Sequence, residues 1–239
     1  DTGALAITGV TTIAAGSGNN ITLDHTSNNF QAAVIITSGN NVTLVDAGAI
    51  DLGASTVSGT YAVTATASGD ITDSGVLAIT GGATFTVANG RSITLDQSST
   101  FSSTVTFVAS AGTIAAVTIN DSNALDLKAL TTTGNLTVTA GGAVTDSGTP
   151  VIPGTATISA SGQAVTLDES SNNFGTLAIT GANVAATDTN AIILGAATVS
   201  GTYGITAGGA VTDSGTQEIT GVTTISASSQ TVTLNTATN

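Results

Sequence analysis

The sequence predicts an all-β protein, a single-stranded parallel β-helix (β-solenoid) of about ten coils. Three observations carry that prediction: a long internal repeat, a two-residue alternation within it, and a nearly charge-free composition. Of the 239 residues, 7% are charged and 3% aromatic, with 29 glycines, two prolines and no Cys, Met or Trp.

The repeat is the strongest of the three. Asp1-Thr-Gly-Ala-Leu-Ala-Ile-Thr-Gly9, running on to Ile21-Thr-Leu-Asp24, recurs as Asp73-Ser-Gly-Val-Leu-Ala-Ile-Thr-Gly81, running on to Ile93-Thr-Leu-Asp96. A third copy runs from Asp146 to Asp168, and a fourth begins at Asp213 and reaches Asn235. The intervening segments repeat as well. Ser27-Asn-Asn-Phe30 matches Ser171-Asn-Asn-Phe174, and Val57-Ser-Gly-Thr-Tyr61 matches Val199-Ser-Gly-Thr-Tyr203. Long repeats therefore occupy residues 1–72, 73–145 and 146–212, with a partial fourth at 213–239. One continuous solenoid over 1–239 is expected.

Within each repeat the pattern has period two. Asn20-Ile-Thr-Leu-Asp24, Asn41-Val-Thr-Leu-Val45 and Ala62-Val-Thr-Ala-Thr66 alternate apolar and polar residues, which places them on opposite faces of short strands. Gly, Asn, Asp and Ser cluster between the strands as turn formers. No window holds an apolar stripe at helical spacing, and β-branched residues disfavour helix, so helix content near zero is expected. Equivalent strands fit coils of about 20–25 residues, about three coils per long repeat, in a rod on the order of 50 Å long.

The charge follows from the stacking. A solenoid sets each side chain over its counterpart one coil away, so a charge repeated at every coil would repel itself. Lys and Arg total 2 against 15 acidic residues, a net charge of −13. Two basic residues cannot neutralise a row of phosphates, which excludes nucleic acid as a partner. An acidic chain without a basic patch has no attraction for anionic lipid. Zero Cys removes disulfides, thiolate zinc sites and cysteine catalysis. No uninterrupted apolar run approaches a membrane-spanning length, so no membrane insertion is expected.

Taken together, the Asp-Ser-Gly-x-Leu-Ala-Ile-Thr-Gly anchor, the Ile-Thr-Leu-Asp strand end, Ser-Asn-Asn-Phe and Val-Thr-Ala-Gly-Gly-Ala-Val-Thr resemble the filamentous-haemagglutinin-like β-strand-repeat exoproteins and adhesins of bacteria. The resemblance covers essentially the whole chain. It implies a right-handed parallel β-helix, secretion to the bacterial cell surface or extracellular matrix, and a role as an adhesin stalk or extracellular fibre without catalysis. The partners so implied are neighbouring copies or flanking repeats through the end coils, with a host surface or glycan engaged through other domains. The chain is expected to be a piece of a longer surface protein or a head-to-tail self-assembling filament subunit.

None of the reactive residues is assigned a catalytic, cofactor-binding or metal-binding role. Asp24, Asp96 and Asp168 share one repeat position, and Asp1, Asp73, Asp146 and Asp213 another. Calcium could use such oxygens, but equivalent residues recur only about three coils apart, roughly 14 Å, too far to share an ion. Solvated turn aspartates are expected instead. Asp70 with Asp73 and Asp121 with Asp126 are the local pairs that combine different repeat positions. A carbohydrate-active β-helix enzyme is the alternative from another class, and it needs converging carboxylates in a cleft that breaks the repeat. Arg91 and Lys128 do break the repeat, but each stands alone. His25, between Asp24 and Ser27, suggests a Ser-His-Asp arrangement that strand alternation opposes. Phe30, Phe101, Phe174, Tyr61 and Tyr203 are expected to fill corners of the core rather than to bind glycans. Thr-rich alternation is expected to drift between coils rather than build an in-register hydroxyl face.

Overall fold

The computed structural model describes residues 1–67 and 69–236; residue 68 and residues 237–239, the end of the partial fourth repeat, lie outside it. Among the described residues there is no helix, and parallel strands stack into β-solenoid turns, about 11 in all. The chain divides into two compact units, Asp1–Ser122 and Asn123–Asn239.

In the first unit one ladder stacks Ile21–Leu23, Val42–Asp46, Tyr61–Ala65, Ala83–Val87 and Val105–Ala109, with Ile21, Val42, Tyr61, Ala83 and Val105 in register. A second ladder runs through Thr11–Ala14, Val34–Ser38, Ile50–Leu52, Ile71–Asp73, Ile93–Phe101 and Val117–Asp121. Beyond a kink, Ser55–Val57, Leu77–Ile79 and the end of Ile93–Phe101 continue the stack. Successive segments of chain alternate between the two ladders, so each pairs with the segment two before it.

That alternation corrects the expected geometry of the long repeat. From Ile21 to its counterpart Ile93 the chain passes through seven segments: Ile21–Leu23, Val34–Ser38, Val42–Asp46, Ile50–Val57, Tyr61–Ala65, Ile71–Ile79 and Ala83–Val87. Seven is odd, so Ile21 lies in the first ladder and Ile93 in the second. One long repeat spans three and a half turns, not three. The second unit obeys the same rule. Val165 stacks in the ladder of Leu125–Leu127, Val144–Asp146, Val184–Asp188, Tyr203–Ala207 and Thr223–Ser226. Its counterpart Val232 pairs instead with Val211, in the ladder of Leu136–Ala140, Pro150–Ser159, Asn173–Gly181 and Ile192–Val199.

Alternation decides burial. In Val42–Asp46, Tyr61–Ala65 and Ala83–Val87 every odd position is buried and every even one partly exposed. The inward rows stack like on like: Leu44, Val63, Phe85 and Phe107 occupy one column, and Ile50, Ile71, Ile93 and Val117 another. Burying each such side chain contributes about 1.5–3 kcal/mol. The aromatic residues fill the column as expected: Phe30, Phe101, Phe174, Tyr61 and Tyr203 are all buried. Phe85 meets the rings of Tyr61, Phe101 and Phe107 at 6.1 Å each. On the outer face Thr22, Thr43, Thr84 and Thr106 share one column, interrupted by Ala62. Thr-x-Thr pairs lie at Thr64 and Thr66, Thr84 and Thr86, and Thr104 and Thr106, but out of register, with Thr86 over Thr64 and Thr84 over Thr106.

Candidate functional site

The corner built by the Asp-(Ser/Thr)-Gly anchor is the most chemically dense part of each repeat. The strand Ile71–Asp73 reads Ile-Thr-Asp, which puts Asp73 on the same face as Ile71. Asp73 is therefore 8% exposed, as is Asp146 at the end of Val144–Asp146. These two are not the solvated turn residues the sequence suggested. Each reaches across to the following coil. Asp73 Oδ1 accepts from the backbone N–H of Asp96 at 2.9 Å, and Asp146 Oδ1 from that of Asp168 at 2.9 Å. At the half-exposed Asp213, Oδ1 accepts from Asn235 N–H at 2.9 Å and Oδ2 from Thr236 N–H at 3.1 Å. Asp1 Oδ1 accepts from the Asp24 and His25 N–H groups. One geometry recurs in all four copies.

The other two anchor residues have matching roles. Ser74 Oγ donates to Asp51 Oδ2 at 2.8 Å on the coil before, and Ser147 Oγ to Asp126 Oδ2 at 2.8 Å. The glycine permits close approach. A Cβ on Gly75 would lie 2.2 Å from Ala54 N, on Gly148 2.0 Å from Ala129 N, and on Gly215 2.3 Å from Ala196 N. No side chain fits there.

A second set of inward carboxylates closes the Ser-Asn-Asn-Phe corner. Asp46 Oδ2 accepts from Phe30 N–H at 2.7 Å and its Oδ1 from Gly48 N–H at 2.6 Å. Asp188 repeats this with Phe174 N–H at 2.6 Å and Asn190 N–H at 2.9 Å. Asp121 Oδ1 meets Phe101 N–H at 3.2 Å. The buried Asn28 and Asn172 complete the corner, Asn28 Oδ1 accepting from Leu5 N–H and Asn172 Nδ2 donating to Asp146 Oδ2 at 2.5 Å. Sequence reasoning missed this inward set. The signal was present: in Val42-Thr-Leu-Val-Asp46 the carboxylate is four residues from an inward Val, whereas in Ile21-Thr-Leu-Asp24 it is three from an inward Ile.

Burial sets the electrostatics. Desolvation pushes the Asp73 carboxyl up to about 6, aided by the neighbouring Asp96 charge and opposed by the backbone N–H groups. Desolvation likewise raises Asp146 and Asp188 above the usual carboxylate range. Asp126 moves the other way. Its partial burial raises it, but hydrogen bonds from Lys128 and Ser147 and the Lys128 charge outweigh that and hold it below its ordinary value.

The remaining candidates separate. Lys128 Nζ lies 2.5 Å from Asp126 Oδ2 and 2.7 Å from Ser147 Oγ, so the cation neutralises the outer Asp–Ser pair that in the preceding copy, Asp51 with Ser74, has no cation. Arg91 makes no ion pair among the described residues and sits in the turn at Gly90. His25 Nδ1 accepts from the Ser27 backbone N–H at 3.1 Å, which holds a turn and assembles no Ser-His-Asp relay. Asp70 accepts from Ser92 N–H at 2.8 Å. Among the described residues, no group of three or more His, Asp or Glu is placed to hold a metal ion.

A family model described as repeats of unknown function (DUF5649) matches four consecutive stretches, residues 1–37, 39–108, 114–180 and 181–239. The chain belongs to this family. No curated protein and no solved structure matched it. The two longest DUF5649 stretches, 39–108 and 114–180, each contain one Asp-Ser-Gly corner. The corner is thus part of the repeating unit itself.

Proposed function

We propose that this DUF5649 repeat chain is a non-catalytic structural segment of a bacterial extracellular protein, a solenoid that spaces or displays other domains or builds a fibre at the cell surface. One observation carries the reading. The recurring carboxylates of the anchor and of the Ser-Asn-Asn-Phe corner are spent on backbone N–H groups of neighbouring turns, so the most reactive-looking residues act as fasteners between coils. The resemblance to filamentous-haemagglutinin-like exoproteins supports the location and the adhesive context. Lys128 and His25, which depart from the repeat, are tied into local turns and pairs, consistent with a rod whose irregularities are not used for chemistry.

Electron microscopy of the native assembly, with an assay for cleavage of surface and plant polysaccharides, tests the proposal. Extended rods or micrometre-scale fibres without glycan cleavage are the expected outcome. Isolated globular particles that degrade a glycan overturn it.

A further inference from the structure

The anchor carboxylates are built unlike an ordinary salt-bridged aspartate, and their geometry has a consequence for the whole solenoid. At Asp73 the two oxygens are used unequally. Oδ1 faces the N–H groups of Asp96 and Gln97, at 2.9 and 3.5 Å. Oδ2 is buried without a hydrogen-bond partner. A carboxylate with one oxygen fully solvated by N–H donors and the other sealed from water has a natural place for a proton: Oδ2 can carry it while Oδ1 keeps its bonds.

The surroundings add no positive charge at that corner. The coil before presents Asp51, whose Oδ2 is taken by Ser74. The coil after presents Asp96, and Asp70 lies three residues upstream in the same turn, holding Ser92 N–H. Asp96 is the charge that acts on Asp73, and among the described residues no ion pair neutralises it. At the corresponding corner in the second unit, Asp146 sees Asp168 and Glu169 on the following coil and the Asp126–Lys128 pair on the coil before. Its Oδ2 accepts from the buried Asn172 amide. Asp188, also inward, is faced by the backbone N–H groups of Phe174 and Asn190 and stacks on Ala207.

We propose that Asp73 makes its unit of the solenoid an acid-tightened structure, in which a proton taken up on the buried Oδ2 removes the cost of a buried charge while Oδ1 keeps the Asp96 N–H, so that the fold gains stability as pH falls from neutrality to about 4. The sign follows from linkage. A group whose pKa is higher folded than unfolded disfavours the folded state once it is ionised, so its penalty is absent below the unfolded value and complete above the folded one. Asp73, at about 6 against an ordinary 3.8, places that window between roughly pH 4 and pH 7. The raised Asp146 and Asp188 act in the same direction. Asp126, held below its ordinary value, loses its contribution only under still more acidic conditions. Two pKa units correspond to about 100-fold in the folding equilibrium, and proximity to solvent at the corner reduces the expected effect to about tenfold for Asp73.

The test is urea unfolding of the full chain at several pH values between 8 and 4, for the wild type, Asp73→Asn, Asp73→Ala and Asp24→Asn. The wild-type midpoint is expected to rise steadily from pH 7 to pH 4. Asp73→Asn mimics the protonated acid, since its carbonyl keeps the Asp96 N–H. It is expected to be at least as stable as wild type at pH 8 and to lose about tenfold of the pH response. Asp73→Ala removes the acceptor as well and should be weaker than Asp73→Asn at every pH. Asp24→Asn removes an exposed charge and controls for relief of the overall net charge; its pH response should match wild type. A flat or falling wild-type profile overturns the proposal. So does an Asp73→Asn response equal to that of wild type, or an Asp24→Asn variant that loses as much of it.

Discussion

Two corners of the same repeat carry aspartates in nearly identical company and treat them in opposite ways. Asp73 and Asp146 end the strands Ile-Thr-Asp and Val-Thr-Asp and are buried; Asp96 and Asp168 follow Ile-Thr-Leu and Val-Thr-Leu and are exposed. The inward pair clasps backbone N–H groups of the next coil, and the outward pair supplies those N–H groups from its own backbone. One residue of phase separates the two outcomes. In a period-two strand, a shift by one moves a side chain from the core to water, so a carboxylate becomes either a fastener or a solubilising charge. The net charge of −13 is thus two populations, one holding turns together and one facing water.

That contrast is broken most severely at the glycine of the anchor. Gly148→Ala would place a methyl group 2.0 Å from the Ala129 backbone nitrogen, and neither backbone can yield without losing ladder bonds. A loss of about 3 kcal/mol in urea unfolding is expected. Gly18→Ala, where nothing lies within 4 Å of the added carbon, should stay within about 0.5 kcal/mol of wild type. The smallest expected effect is at the outer Ser of the anchor. Ser147→Ala deletes an exposed bond to Asp126 and leaves the Lys128 pair in place, so a change of about 0.5 kcal/mol or less is expected. A Ser147→Ala loss as large as that of Gly148→Ala would show that the outer face, not the close approach of backbones, holds the corner.

Much of the architecture was legible in the sequence. The Ile-Thr-Leu alternation marks strands with one buried face, and the Asp-Ser-Gly recurrence of the same strand series marks copies stacked as a solenoid. The aromatic residues Phe30, Phe101, Phe174, Tyr61 and Tyr203 fell inside as expected, and Phe85 and Phe107 fill the mid-strand column over Val63 as well. The number of turns per repeat was not legible. Coil length varies, with register steps of 21 residues from Ile21 to Val42, 19 from Val42 to Tyr61 and 24 from Ile93 to Val117. Only the pairing itself shows that seven segments, and so a half-turn, intervene between copies. The half-turn adds to the separation expected between equivalent aspartates, because successive copies also fall in different ladders. The burial of Asp73 and Asp146 was readable from strand phase, but a general preference for Asp in turns pointed outward. Composition gave the prior, and phase decided the case.

The account rests on phase separating fastening carboxylates from solvated ones, and one pair of variants in the second unit tests it most directly. Asp188→Ala leaves the buried N–H of Phe174, and the partly buried N–H of Asn190, without their acceptor, whereas Asp168→Ala removes an exposed carboxylate. Urea unfolding at pH 7 should show Asp188→Ala weaker than wild type by about 2 kcal/mol, and Asp168→Ala unchanged within about 0.5 kcal/mol. Equal losses at the two positions, or a larger one at Asp168, would contradict it.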